Sequence, residues 1–276
     1  MSESAPKTPR RFPLALDKMQ PAKPSSRGEV LRPQRHLHMA AADAARQAAP
    51  SGLGLDSAGV RQRMVQRLKQ EGLSDERVLQ ALAKVPRHQF VDTALAIQAY
   101  EDTSLPIGHG QTISKPSVVG RMIELLFAGQ GARQRGELGR VLEIGTGCGY
   151  QAAVLAELGR QVVSIERLKP LHDKAALNLA SMRGNKIRLI YGDGRLGHAP
   201  LAPYDSLVAA AGGEDIPPAW LAQLAPGGRL VAPMAAPGGR GQVLVVVDHV
   251  VEEGRSHFVR STQEAVQFVP LKSGVM

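Results

Sequence analysis

Cysteine is almost absent from this chain of 276 residues: Cys148 stands alone. That excludes an internal disulfide framework and any cysteine-based zinc site, and it suits a reducing cytoplasm, the location expected here. The eight histidines are scattered without metal-ligand spacing, so no metal is expected. No apolar run approaches the roughly 18 residues of a membrane span, which removes the membrane as a partner. A G-x-S-x-G elbow is missing, and with it the main pointer to a serine hydrolase. Internal repeats are missing too. The net charge is +9, yet no dense Lys/Arg block exists: residues 1–58 hold nine basic residues against five acidic ones, the remainder 25 against 20. Such a balance reads as ordinary solubility with a high pI, and nucleic acid is not expected as a partner.

What the chain does have is VLEIGTGCGY, Val141 to Tyr150. Val141 to Ile144 reads as a short buried strand, Gly145, Gly147 and Gly149 as a tight turn, and QAAVLAELG as the helix behind it. This is the first βα unit of a doubly wound sheet, where such folds bind nucleotides. A dinucleotide fingerprint is G-x-G-x-x-G, whereas here the third glycine comes one place early and Tyr150 stands where that pattern needs glycine. Glu143 adds a carboxylate at the strand end, which repels phosphates and suits a cation. S-adenosyl-L-methionine lacks phosphate and carries a sulfonium and an ammonium, so it fits this loop better than a dinucleotide does. A purely structural turn is the remaining reading.

Taken in order, Met1 to about Asp56 is rich in Pro, Ser, Ala and Arg and is expected to be disordered, with a transient helix over Met39 to Ala49. It lacks the apolar core of a secretory signal, and its five acids argue against a transit peptide. Order is expected from Gly59, with one helix ending at Gly72 and a second capped by Ser74 and stopped by Pro86. Residues 59–126 are expected to form a helical cap and a substrate loop, and 140–276 the sheet domain. Strands alternate with helices up to Met234. QVLVVVDHV then forms a hairpin turned at Glu253 and Gly254, and VQFVPL a final strand. The fold class expected is α/β: a Rossmann-like, mostly parallel sheet with antiparallel C-terminal strands and an N-terminal helical cap.

Three further stretches carry candidate chemistry. LPIGHGQTISKP is a loop of small hydrogen-bonding side chains before a helix opened by Pro116. Ser114 there either caps that helix or helps a carboxylate dock at its N-terminus. Glu166 ends the strand QVVSIE 21 residues after Gly145, near the spacing at which an acid meets ribose hydroxyls; capping of the following helix is the alternative. Asp193, in GDG, can accept from an adenine amino group while Gly194 admits the ring, or can make an ordinary Asp-Gly turn.

With these blocks assembled, VLEIGTGCGY, IER, YGDG and YDSLVAAAGGEDIPPAWLAQLAPGGRLVAPM resemble a class I S-adenosylmethionine-dependent methyltransferase. Together with PRHQFV, AYEDTSLPIGHGQTISKP and VQFVPL, the chain from Gly59 onward resembles the protein-L-isoaspartate O-methyltransferases. The resemblance implies Ser114 as the active-site residue, and Ile107, Gly108, Thr112 and Ser114 as the substrate contacts. It implies donor contacts from Gln111, Thr112, Ile113, Glu143, Gly145, Gly147, Glu166, Asp193 and Gly194. Cys148 replaces a frequent serine, and Val119 stands where some relatives carry histidine. The implied activity is methyl transfer from S-adenosyl-L-methionine to the α-carboxylate of L-isoaspartyl residues in damaged proteins and peptides, by a monomer. A class I methyltransferase acting on RNA or a small molecule is the alternative, and a non-catalytic donor-binding protein a third possibility.

Overall fold

A computed structural model describes residues 58–180, 182 and 186–276; the expected disordered leader and its transient helix lie outside the described residues. The chain opens with α1 (Ala58–Gln70) and α2 (Glu76–Lys84). The cap of α2 is Asp75, whose carboxylate accepts from the N–H groups of Arg77 and Val78. Ser74, the expected cap, instead gives both its N–H and its hydroxyl to Glu124. Glu124, on another helix, engages Ser74 because its carboxylate accepts several hydrogen bonds at once, including that of the Asp75 N–H.

Two 3-10 turns, Arg87–Phe90 and Thr93–Gln98, lead to a small hairpin of β1 (Leu105–Gly108) and β2 (Gln111–Ile113), followed by α3 (Pro116–Phe127) and α4 (Gln130–Arg135). Then come β3 (Arg140–Ile144), α5 (Tyr150–Leu158), β4 (Gln161–Glu166), α6 (Lys169–Asn178), β5 (Ile187–Tyr191), β6 (Tyr204–Ala209), α7 (Pro218–Ala222), β7 (Leu224–Ala235), β8 (Gln242–Glu252) and β9 (Arg255–Val266). The large sheet runs in the order β5-β4-β3-β6-β7-β8-β9. Its first five strands are parallel; β8 and β9 are antiparallel additions.

Both faces of the parallel strands are covered, which is why they read as continuous apolar runs. Val141, Val162 and Val208 face one core with α2, α3 and α5; Leu142, Val163 and Leu207 face the other with Trp220 and Tyr204. Helix α2 packs against both α1 and α5, so the helical cap lies on the helix behind the glycine turn. The β8–β9 turn falls at Glu253 and Gly254, both at positive φ (50° and 76°), the geometry a two-residue hairpin requires.

One expected strand is absent. After Val266 the segment VQFVPL makes only a bridge between Pro270 and Gly212. Pro270 has no N–H to give a ladder, so pairing reduces to the Gly212 N–H on the Val269 carbonyl and the Leu271 N–H on the Gly212 carbonyl.

Candidate active site

The order of the strands reverses at β3: β4 and β5 lie to one side of it, β6 and β7 to the other. The crevice beyond the carboxyl ends of strands at such a switch point is where doubly wound sheets hold ligands. A cavity of about 480 Å³ opens there, within the range of small-molecule sites.

Its floor is the glycine turn. Gly145 and Thr146 both donate backbone N–H groups to the Ile165 carbonyl, which ties the turn to β4. Gly149 begins α5 at φ 93°, and a Cβ there would meet Leu179 at 2.9 Å. A side chain at that point is therefore excluded twice, by backbone conformation and by space. Gly194 closes the far side at an ordinary φ, but so near Ile144 that a Cβ would lie 2.5 Å from its Cγ2. The indole N–H of Trp220 donates to the Gly194 carbonyl and fixes that approach.

Glu166 is 5% exposed and lines the cavity. One of its oxygens accepts from the Gly147 N–H at 2.9 Å and the other from the Leu168 N–H at 3.0 Å. The carboxylate thus braces the glycine turn against the start of α6. Of roughly four lone-pair sites these bonds use two, which leaves acceptors for a pair of hydroxyls.

Glu143 is wholly buried beneath this floor and does not line the cavity. It accepts from the Ser164 hydroxyl, which in turn pairs with the Thr146 hydroxyl at 2.6 Å. Burial pushes its carboxyl up to about 8, only partly offset by the Ser164 hydroxyl. Among the described residues, Oε1 of Glu143 and Nε2 of Gln151 have no hydrogen-bond partner. Gln151 lines the cavity. A buried carboxyl with an open acceptor under a polar lining suits a ligand bearing positive charge, which favours its ionised form.

The opposite wall is the β1–β2 hairpin and the loop after it. Ile107, Gln111, Thr112, Ile113 and Ser114 all line the cavity. The Lys174 ammonium on α6 holds the hairpin by hydrogen bonds to the Ile107 carbonyl (3.2 Å) and Asp92 (2.9 Å). Ser114 is not the helix cap: Lys115 occupies that position without a side-chain bond, and Asp102 accepts from both the N–H and the hydroxyl of Ser117. The Ser114 hydroxyl is thereby left to the cavity and to a second groove, of about 710 Å³, bounded by Thr112, Ser114, Lys115 and Gln267–Val269.

Of the residues expected at the site, Gly108, Glu143 and Asp193 do not line the cavity. Asp193 caps the turn that carries Gly194, accepting from the Arg195 N–H, and also accepts from the Gly274 N–H. Sequence patterns passed over Thr146, Gln151, Arg167 and the stretch Val269–Lys272, all in the lining. Gln151 sits on the first turn of the helix behind the glycines, which was a usable signal; Val269–Lys272 arrives from a distant part of the chain and gave none. Cys148 also lines the cavity, but burial lifts its thiol to about 11, so it is no nucleophile near neutral pH. Among the described residues no cluster of His, Cys, Asp or Glu suits a metal ion.

Comparison with known proteins accords with this geometry. The family model described as protein-L-isoaspartate(D-aspartate) O-methyltransferase matches residues 59–276. A protein-L-isoaspartate O-methyltransferase of Methylibium petroleiphilum is 64% identical over 264 residues, 96% of each chain. One of Leptothrix cholodnii is 57% identical over 282 residues, covering 99% of this chain and 98% of its own. Among solved structures, a protein-L-isoaspartate O-methyltransferase superposes with a TM-score of 0.66 at 25% identity, over 78% of this chain and 67% of its own. A Plasmodium falciparum structure, a putative member in complex with S-adenosyl-L-homocysteine, gives 0.61 at 23% identity over 77% of this chain and 98% of its own, a likeness of fold. A sheet that switches at its glycine turn, a cavity walled by the GQTIS loop and relatives matched over nearly their whole length lead to one assignment: the chain belongs to the protein-L-isoaspartate(D-aspartate) O-methyltransferase family.

Proposed function

We propose that this chain transfers a methyl group from S-adenosyl-L-methionine to the α-carboxylate of L-isoaspartyl residues in damaged proteins and peptides, the step that starts repair through a succinimide. The observation that carries the reading is that the loop from Gln111 to Ser114 and the glycine turn from Gly145 to Gly147 line one cavity, which adjoins a groove open enough for a peptide. When bound, the donor supplies an electrophilic methyl on sulfonium; an α-carboxylate, ionised at pH 7, takes that methyl as the carbon–sulfur bond breaks and the neutral thioether S-adenosyl-L-homocysteine leaves, so no general base is needed. The chain's task is then orientation. Glu166 holds the ribose hydroxyls while bracing the glycine turn, Gly194 admits the adenine, and Asp193 shapes the turn behind it. Glu143 acts from below the floor, through Gln151, on the cationic arm. Ile107, Thr112 and Ser114 border the acceptor, with the Ser114 hydroxyl donating to its carboxylate, and Gly108 shapes the hairpin. Lining up nucleophile, methyl and sulfur is worth several orders of magnitude in rate.

Among the described residues the acceptor groove holds one cationic side chain, Lys115, and no run of basic residues tracks it, which favours a peptide over RNA. No helix among the described residues is long and apolar enough to cross a membrane. A monomer acting in the cytoplasm completes the reading. Incubation with labelled donor and an isoaspartyl peptide, beside its aspartyl twin, tests it: label on the isoaspartyl peptide alone is expected, and label on neither sinks the assignment.

A further inference from the structure

Beyond β9 the chain does not leave the molecule. It returns across the carboxyl ends of the parallel strands and is fastened at two places. The first fastening lies beyond β6, where Gly212 exchanges hydrogen bonds with Val269 and Leu271 at 2.8 and 2.7 Å. The second lies beyond β4 and β5. There the Gly274 N–H donates to Asp193 Oδ2 (2.6 Å), and Arg167 Nε donates to the Gly274 carbonyl (2.9 Å). The Met276 N–H donates to the Arg167 carbonyl (2.8 Å), and the Met276 carbonyl oxygen accepts from the Lys169 N–H (2.7 Å) and the Tyr191 hydroxyl (3.1 Å). Because β3 lies between β4 and β6, the span between the fastenings passes over the glycine turn. Val269, Pro270, Leu271, Lys272 and Met276 line the cavity.

The two fastenings differ in kind. Leu271 packs on the second core, near Met234, so the first is backed by apolar burial. Beyond it Val275 is 51% and Met276 69% exposed, and the second rests on hydrogen bonds at a wet surface. Such bonds exchange readily for bonds to water, so this end opens at small cost while the Leu271 end stays seated.

Resting on the donor site proposed above, we infer that residues Val269–Met276 form a strap over that site, seated at Gly212 and released at Gly274–Met276 to let donor in and spent donor out. The strap's root, Gln267–Val269, also lines the acceptor groove beside Ser114. A peptide lying in that groove packs against the root, which keeps the strap down while the methyl is transferred.

The test uses the full chain with S-adenosyl-L-homocysteine as probe, its dissociation rate followed by stopped-flow fluorescence or competition. Gly274 has a φ of 74°. In the Gly274→Pro variant the N–H that meets Asp193 is lost and φ is forced to about −65°, so the clasp cannot form. Loss of that clasp is expected to speed dissociation about tenfold or more, with the melting temperature of the ligand-free protein unchanged. Tyr191 does not line the cavity. Tyr191→Phe removes only its bond to Met276 and is expected to speed dissociation by a smaller factor. Wild-type dissociation rates in both variants would overturn the strap while leaving the donor site intact. Failure of the wild-type chain to bind the probe would overturn both.

Discussion

On the proposed function, Ser114 positions the acceptor, since the helix after it is capped by Asp102 instead. Replacing Ser114 with Ala removes one hydrogen bond to the acceptor carboxylate and leaves the donor floor untouched. kcat is expected to fall about 100-fold, as for a lost positioning contact, with S-adenosylhomocysteine affinity unchanged by calorimetry. Glu143 is expected to set a pH dependence. Burial raises its carboxyl to about 8, which favours the protonated form in the free protein at pH 7. A cationic donor above it favours the ionised form, so binding releases a proton. Donor affinity is expected to rise with pH by up to about tenfold per unit below 8 and to level off above it, and Glu143→Gln to flatten the profile. Calorimetry in buffers of different ionisation enthalpy counts the proton. The stability sign follows from the same shift: the folded chain binds a proton that the unfolded chain has released, so this group's contribution is greatest below about 4.5 and is lost as pH rises through about 8. Glu143 and Glu166 were both legible as acids near glycines. Nothing in their spacing said that one would be sealed beneath the floor and the other would line it; that depends on which face of the sheet each strand end presents.

At the level of elements, the loop that carries Ser114 is held by residues from outside it. Asp102 accepts from the Ser117 N–H at 2.8 Å and its hydroxyl at 2.7 Å, and so fixes the start of α3. Asp102→Ala is expected to cost about 0.5–2 kcal/mol, the usual loss for a helix cap. In a chain of this size that lowers the melting temperature by roughly 2–4 °C per kcal/mol, which scanning calorimetry will detect. kcat is expected to fall as well, because the start of α3 and Ser114 loosen together. The helix itself was readable from Pro116 and its apolar spacing, and the strands from their β-branched runs. The expected cap at α2 was one residue off, since Asp75 takes it while Ser74 is held by Glu124, 50 residues away; at α3 the cap comes from Asp102, 15 residues before Ser117, which leaves Ser114 its other reading. The last expected strand failed for a related reason: Pro270 has good strand neighbours but no N–H for a ladder, and the segment serves as a wall instead.

For the whole molecule, the family match begins at residue 59 and the described fold at residue 58. Among the described residues, both cores, the cavity and the acceptor groove lie within that matched stretch. On the family match alone, deleting residues 1–57 is expected to leave kcat/KM for an isoaspartyl peptide within about twofold of the full chain, measured by methyl transfer; uniform losses in transition-state binding would appear there first. The sequence by itself determined the fold class, the glycine turn and the family, because these depend on local spacing: apolar runs at strand length, glycines where only glycine fits, and an acid one βα unit on. Tertiary structure decided the rest. It set Glu143 below the donor floor and Glu166 in it, gave the cap of α3 to Asp102 and so freed Ser114, and brought Val269–Met276 back over the glycine turn from more than a hundred residues away. Those outcomes turn on packing and on competition for hydrogen bonds between distant segments, which no local pattern of residues encodes.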